Sequence, residues 1–297
     1  MEDNSMGRRD FLKRSAAVTL GAGAVGAASS GRSSKPPFDP LLKAVQLDML
    51  PKQLADKDKF KLAKSCGFDG IETNPMDDLD AAKKQGDLAR QAGVPIHSIV
   101  FGGWHAPLSD PNPDVIEKGL RGMETALPCA KAMGADAVLL VPAVVTERVG
   151  YGEAYERSQG HIRKLLPLAE EVGVIIAVEN VWNKFLLSPL EFARYVDEFE
   201  NPWLRAYFDV GNVVTFGYPE DWIRTLGERI VKVHLKDFER KPHEWAALRE
   251  GDVNWPEVRR ALAEVGYTGY ITCELSGGNE EYLRDVSDRM SKIAVGE

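Results

Sequence analysis

Four ionisable side chains recur at intervals that a repeating fold would produce: Glu179, Asp209, His234 and Glu274, spaced 30, 25 and 40 residues apart. Each closes a short β-rich run, Val178-Glu179, Phe208-Asp209, Val233-His234 and Cys273-Glu274. One Glu at a strand end is usually a solvated rim residue, and one His is usually a hydrogen-bonded core residue. Four in register are harder to place that way, because isolated charge is costly to bury. Three carboxylates and one imidazole without a thiolate suit a single divalent ion, with Mn²⁺ the first choice and Co²⁺, Mg²⁺ or Zn²⁺ also compatible. Such an ion could polarise a carbonyl while carboxylates on opposite sides of the substrate move a proton at the neighbouring carbon.

Further candidates surround these four. Glu72 ends an earlier β-rich run, and His97, Trp104 and His105 lie in or just after the next one. Trp104 and Trp182 offer flat apolar faces to a ligand, and Asn183 lies beside the second. Lys236 and Asp237 directly follow His234, and Asp237 can either orient it or cap the following segment. The stretch Phe238–Val253 carries Arg240, Lys241 and Arg249 and is long enough to close over a site as a lid. His161 and His243 read as surface residues.

The elements that must position these groups follow a simple rhythm. From Leu42 onward eight β-rich runs alternate with longer amphipathic segments: Ala44–Met49, Gly70–Asn74, Ile96–Phe101, Ala137–Pro142, Ile175–Glu179, Ala206–Val210, Ile230–Leu235 and Tyr270–Leu275. Helical patterns fill the gaps, as in Asp56–Ser65, Asp80–Ala92, Pro113–Met133 and Tyr155–Val172. Fully apolar strands such as Val174-Ile175-Ile176-Ala177-Val178 suit a parallel sheet covered on both faces. Glycines at Gly67, Gly93 and Gly173 sit where a helix would end on a left-handed residue. Eight strand–helix pairs close into a (β/α)₈ TIM barrel, an α/β single domain over residues 42–297, whose strand C-termini carry the site. An open doubly wound sheet is the alternative, but no Gly-rich phosphate turn follows Met49.

At these residues the chain resembles the xylose-isomerase-like sugar isomerases and epimerases. The matching stretches are Val178-Glu179-Asn180, Phe208-Asp209-Val210-Gly211-Asn212, Val233-His234-Leu235-Lys236-Asp237 and Thr272-Cys273-Glu274-Leu275, within a resemblance running from Leu42 to Ile293. It implies that Glu179, Asp209, His234 and Glu274 bind one metal ion and that Glu179 and Glu274 serve as acid and base in ketose 3-epimerisation. Arg240 matches the family's substrate-contacting arginine, six residues past the metal histidine. Two positions depart: Asn212 stands where the family has a histidine, and Phe185 where it has a glutamate. Glu179-Asn180-Val181-Trp182 and Arg249-Glu250-Gly251-Asp252-Val253-Asn254-Trp255 look closest to the pentulose- and hexulose-phosphate 3-epimerases. The substrate-binding set expected from all this is Arg240, Asn212, Glu72, His97, Trp104 and Trp182.

The N-terminus is of another kind. Arg8-Arg9-Asp10-Phe11-Leu12-Lys13 precedes a short apolar run, Ala16 to Ala28, which resembles a twin-arginine export signal over residues 1–28, with a linker over 29–41. The run is too short to span a membrane, so no stable membrane insertion is expected. A periplasmic or extracellular location follows, where sugar phosphates are scarce, and so does an unphosphorylated ketose, keto-sugar or keto-glycoside as substrate. The net charge of −8 becomes −9 without a leader holding four basic and three acidic groups. That balance speaks against nucleic acid as a partner, and with it against an abasic-site endonuclease of the same fold. Cys66, Cys129 and Cys273 are scattered and odd in number, so neither a disulfide framework nor a thiolate metal knuckle is expected. A homodimer or homotetramer is compatible with the sequence. A keto-sugar or inosose dehydratase using the same site, and a non-catalytic carbohydrate-binding barrel, stand as alternatives.

Overall fold

A computed structural model describes residues 41–297. The expected export signal and all but the last residue of the linker lie outside the described residues.

Eight parallel strands close into a ring: β1 (Leu42–Gln46), β2 (Gly70–Thr73), β3 (Ile96–Gly102), β4 (Ala137–Leu140), β5 (Ile175–Glu179), β6 (Leu204–Asp209), β7 (Ile230–Leu235) and β10 (Tyr270–Cys273), the last pairing back onto β1. Between β7 and β10 the chain inserts an antiparallel hairpin, β8 (Asp237–Glu239) and β9 (Glu244–Ala246). The fold is therefore the expected single-domain TIM barrel. Among the described residues eight helices cover it: α1 (Asp56–Ser65), α2 (Leu79–Gln91), α3 (Pro113–Met133), α4 (Tyr151–Val172), α5 (Pro189–Asp197), α6 (Pro219–Leu226), α7 (Trp255–Glu264) and α8 (Glu280–Val295). Local chemistry sets their ends. Asp78, Asn112, Ser188, Asn254 and Asn279 each accept a first-turn N–H, and Gly173 ends α4 at φ 69°, where a side chain would be strained.

Most boundaries moved by one or two residues, and two shifts were larger, each with a local cause. The first strand ends at Gln46 rather than Met49, because Leu47–Met49 winds into a 3₁₀ turn closed by Leu50 N–H on the Leu47 carbonyl at 3.2 Å. α4 begins at Tyr151, four residues before the expected start, since Glu153 reaches back to the Gly150 N–H at 3.0 Å.

Two apolar layers hold the barrel. The larger lies between strands and helices, with Phe60, Phe68, Phe192 and Phe208 all fully buried. The smaller fills the barrel's inside, where Ala137, Leu139, Ala177 and Tyr207 pack together. Side chains alternate along a strand, so Tyr207 and Asp209 share the inner face of β6, as Lys232 and His234 share that of β7. The three cysteines are buried and free, as their spacing implied. Among the described residues no helix is long and apolar enough to cross a membrane.

Candidate metal centre and catalytic site

The C-terminal ends of β5, β6, β7 and β10 bring Glu179, Asp209, His234 and Glu274 together, with one ligand atom from each lying within 4.8 Å of the others. In the ring the strands run β10-β7-β6-β5, so the two glutamates flank the aspartate and the histidine. His234 Nδ1 lies 2.8 Å from Glu179 Oε1, 2.9 Å from Glu274 Oε2 and 4.0 Å from Asp209 Oδ2. One ring nitrogen thus points into a nest of three carboxylates.

The other nitrogen is held from behind. His234 Nε2 lies 2.7 Å from Glu72 Oε2, and Glu72 also accepts from the Tyr207 hydroxyl at 2.5 Å and from Gln46 Nε2 at 3.0 Å. Glu72 has no exposed surface. Burial works against its charge, but His234 more than offsets this, and the carboxyl is held well below the usual carboxylate range. A carboxylate behind a histidine fixes which nitrogen faces a metal. Glu72 was expected to touch substrate; the structure pairs it with His234 Nε2 and also sets it in the wall of a small cavity that reaches Glu274.

The remaining charges separate sharply. Burial pushes Glu179 up to about 7, against the opposing pull of His234. Glu274 moves the other way: burial resists ionisation, yet His234 and then Lys236 hold it below the usual range. Burial also raises Asp209. His234 is raised well above its ordinary value, because Glu72 and Glu274 outweigh the effect of burial.

Lys236, to which sequence position alone gave no role, has its ammonium 2.7 Å from Glu274 Oε2 and 3.2 Å from Asp209 Oδ2. Despite this ion pairing, those two buried oxygens lack a properly directed hydrogen bond. Buried acceptors in that condition, converging with an imidazole nitrogen, are what a divalent cation requires. The four residues fit the expected ion. The turn beneath them is tight: a side chain at Gly211 would come within 2.5 Å of the Lys236 Cβ.

Asn180 and Asn212 brace Asp209. The Asp209 N–H donates to Asn180 Oδ1 at 2.9 Å, the Asn212 N–H to Asp209 Oδ1 at 2.7 Å, and Asn212 Nδ2 to the Asn180 carbonyl at 3.0 Å. Asn212, where the family has a histidine, is thus hydrogen-bonded into the scaffold around Asp209. Phe185, at the other departure, is buried against Tyr151, Tyr155 and Tyr195.

The other expected substrate contacts divide. Trp182 is 43% exposed, donates to the Asn212 carbonyl at 2.9 Å and stacks on Trp245 with ring centres 5.0 Å apart. Trp104 is exposed in the turn after β3. Arg240 donates to the Gly217 carbonyl at 3.0 Å and lies over the Tyr218 ring. His97 needs correcting. It is only the second residue of β3, so it sits low inside the barrel, stacked on Tyr270 at 4.1 Å and 3.1 Å from Thr272 Oγ1, away from the mouth. Burial, then Lys232, lowers its pKa well below the ordinary value, so it serves there as a neutral ring.

The stretch expected as a lid is the β8–β9 hairpin. Asp237 ties both of its ends, accepting from the N–H groups of Phe238 (2.9 Å), Arg249 (2.8 Å) and Val253 (3.2 Å) and from Trp255 Nε1 (2.8 Å). Asp237 thus organises the loop rather than His234. His243, though exposed, stacks on Trp182 at 5.8 Å.

A closed parallel barrel with a carboxylate–histidine cluster at its C-terminal mouth defines a barrel enzyme with a candidate divalent-cation centre. The chain belongs to the xylose isomerase-like TIM barrel family, whose model matches residues 60–293. Among its relatives, an uncharacterized protein of Methanocaldococcus jannaschii is 27% identical over 210 residues, covering 63% of this chain and 72% of that one. The L-ribulose-5-phosphate 3-epimerase UlaE of Escherichia coli is 24% identical over 231 residues, covering 73% and 81%. In structure the chain resembles the 3-keto-D-glucoside 4-epimerase YcjR of E. coli, with a TM-score of 0.73 at 15% identity over 86% of this chain and 99% of that one.

Proposed function

We propose that this protein is a divalent-metal-dependent sugar epimerase that inverts the carbon next to a ketone, with ketose 3-epimerisation as its reaction. The observation that carries the reading is the convergence of Glu179, Asp209, His234 and Glu274 at the barrel mouth, with Glu179 and Glu274 at 2.8 and 2.9 Å from the same His234 nitrogen. Two carboxylates on opposite sides of a bound sugar supply an acid and a base in one site. One of Glu179 and Glu274 removes the proton from one face of the sugar and the other returns a proton to the opposite face. In the reverse direction the roles exchange.

Glu179, Asp209, His234 and Glu274 would hold the ion, which supplies Lewis acidity against the charge that develops on the substrate oxygen. Glu72 keeps His234 turned so that Nδ1 faces the ion. Lys236 offsets the surplus of negative charge around Asp209 and Glu274. The metal is Mn²⁺ by preference, and the enzyme works outside the cytoplasm, exported by the twin-arginine route, on an unphosphorylated keto-sugar.

The test is incubation of metal-loaded protein with a panel of keto-sugars in D₂O, followed by NMR after removal of protein and metal. Deuterium at the carbon next to the ketone, with the inverted epimer as product, is the expected result. Loss of water giving an enone would make the enzyme a dehydratase, and absence of both exchange and product would leave a binding barrel.

A further inference from the structure

Two cavities open from Gln46 and Glu274. The inner one, about 130 Å³, is walled by polar groups that include Asp48, Glu72 and Asn74. The outer one, about 630 Å³, begins at Lys236 and Glu274 and runs outward between the hairpin residues Trp245–Leu248 and the first turns of α8 at Tyr282, Asp285 and Arg289. Sites of about 300–1,000 Å³ are those that bury ligands of drug size, and the outer groove falls among them.

Its walls suit a neutral, two-faced ligand. Trp245 is 49% exposed and is backed by Trp182, itself 43% exposed, so two large apolar rings stand stacked at the mouth with much of their surface open. Ala246, Ala247, Leu248, Leu275 and Val286 continue the apolar side. Both cations that line the groove are already engaged. Lys236 pairs with Asp209 and Glu274, and Arg289 with Asp285 at 2.7 Å, with Glu250 at 2.6 Å and with the Leu248 carbonyl at 2.8 Å. A phosphate dianion would meet two cations whose charge is already offset by these carboxylates. A second sugar ring or an aryl group needs no free cation and can lay an apolar face on Trp245.

We infer that the groove is a subsite for a substituent joined through a glycosidic bond, so that the substrate is a keto-glycoside rather than a free monosaccharide or a sugar phosphate. The inference rests on the epimerase reading above and deepens it: the keto ring sits against Glu274 and the attached group lies along Trp245.

The experiment compares kcat/KM of the metal-loaded full chain for one keto ring offered four ways: free, as its methyl glycoside, as a disaccharide or aryl glycoside, and as its phosphate. The disaccharide or aryl form is expected to exceed the methyl glycoside by about tenfold, the worth of one good ring contact. Trp245→Ala and the groove-filling Ala247→Trp are each expected to bring that ratio near one. Whether the disaccharide or the aryl form gains more distinguishes a sugar from an aromatic substituent. Equal turnover of methyl and larger glycosides, or preference for the free or phosphorylated sugar, overturns the groove assignment while leaving the epimerase standing. Deuterium exchange on none of the four overturns both.

Discussion

Replacing Glu72 by Gln isolates the carboxylate behind His234 from every other property of the site. In the native protein Oε2 accepts from His234 and Gln46, and Oε1 accepts from Tyr207. A glutamine keeps its oxygen toward the first two and turns its NH₂ toward the tyrosine hydroxyl, which can accept instead. No void opens and one donor direction reverses. What disappears is the negative charge that makes the imidazole a better ligand and fixes its tautomer. Loss of such a partner lowers metal affinity by about 10- to 100-fold, or about 1.4–2.7 kcal/mol. Competition of stripped protein against a chromophoric chelator would read this directly, with thermal unfolding as the control for the fold. Glu72→Ala should behave differently, leaving three buried donors unmatched at about 1–3 kcal/mol each and lowering the melting temperature as well. A Glu72→Gln protein binding its metal within about threefold of wild type would refute the orienting role.

Glu179→Gln and Glu274→Gln are each expected to reduce turnover by about 10²- to 10⁴-fold, the usual worth of a positioned acid or base, as measured by deuterium exchange at saturating metal. Exhaustive chelation should abolish turnover, and Mn²⁺ or Co²⁺ should restore it. Because His234 is raised above its ordinary 6.5 in the protein alone, its metal-facing nitrogen carries a proton that a metal must displace. Affinity should therefore rise with pH through the neutral range, with proton release visible by calorimetry in buffers of different ionisation enthalpy. The double change Arg8→Lys, Arg9→Lys should hold the protein in the cytoplasm, as fractionation and immunoblotting would report.

The four-residue centre was legible because strand ends in this fold converge, and a motif at each end of four consecutive strands can meet nowhere else. Roles one layer down were less so. Glu72 is one residue short of the end of β2, which is enough to turn a rim position into a buried one. His97 looked close to the mouth only because a strand's last residues and its second residue are few positions apart in sequence; on β3 they lie at opposite ends of the barrel. The inward face of each strand would have given Tyr207 and Lys232, two residues before Asp209 and His234, by simple alternation. Lys236 is the next alternate position after His234 but lies just past the end of β7, and it packs against Gly211, where a side chain would collide with its Cβ.

The knot of hydrogen bonds at Asp237 has a consequence for how such an enzyme changes over evolutionary time. Both ends of the hairpin are fastened to one carboxylate at the foot of β8, so its base is held independently of the contacts that Arg240, His243 and Trp245 make with Gly217 and Trp182. Gly251 completes the fastening, since any side chain there would collide with the same carboxylate. Asp237 and Gly251 are therefore expected to tolerate substitution far less than the exposed hairpin residues such as Glu244, so change over time is expected at the hairpin's tip and not at this knot.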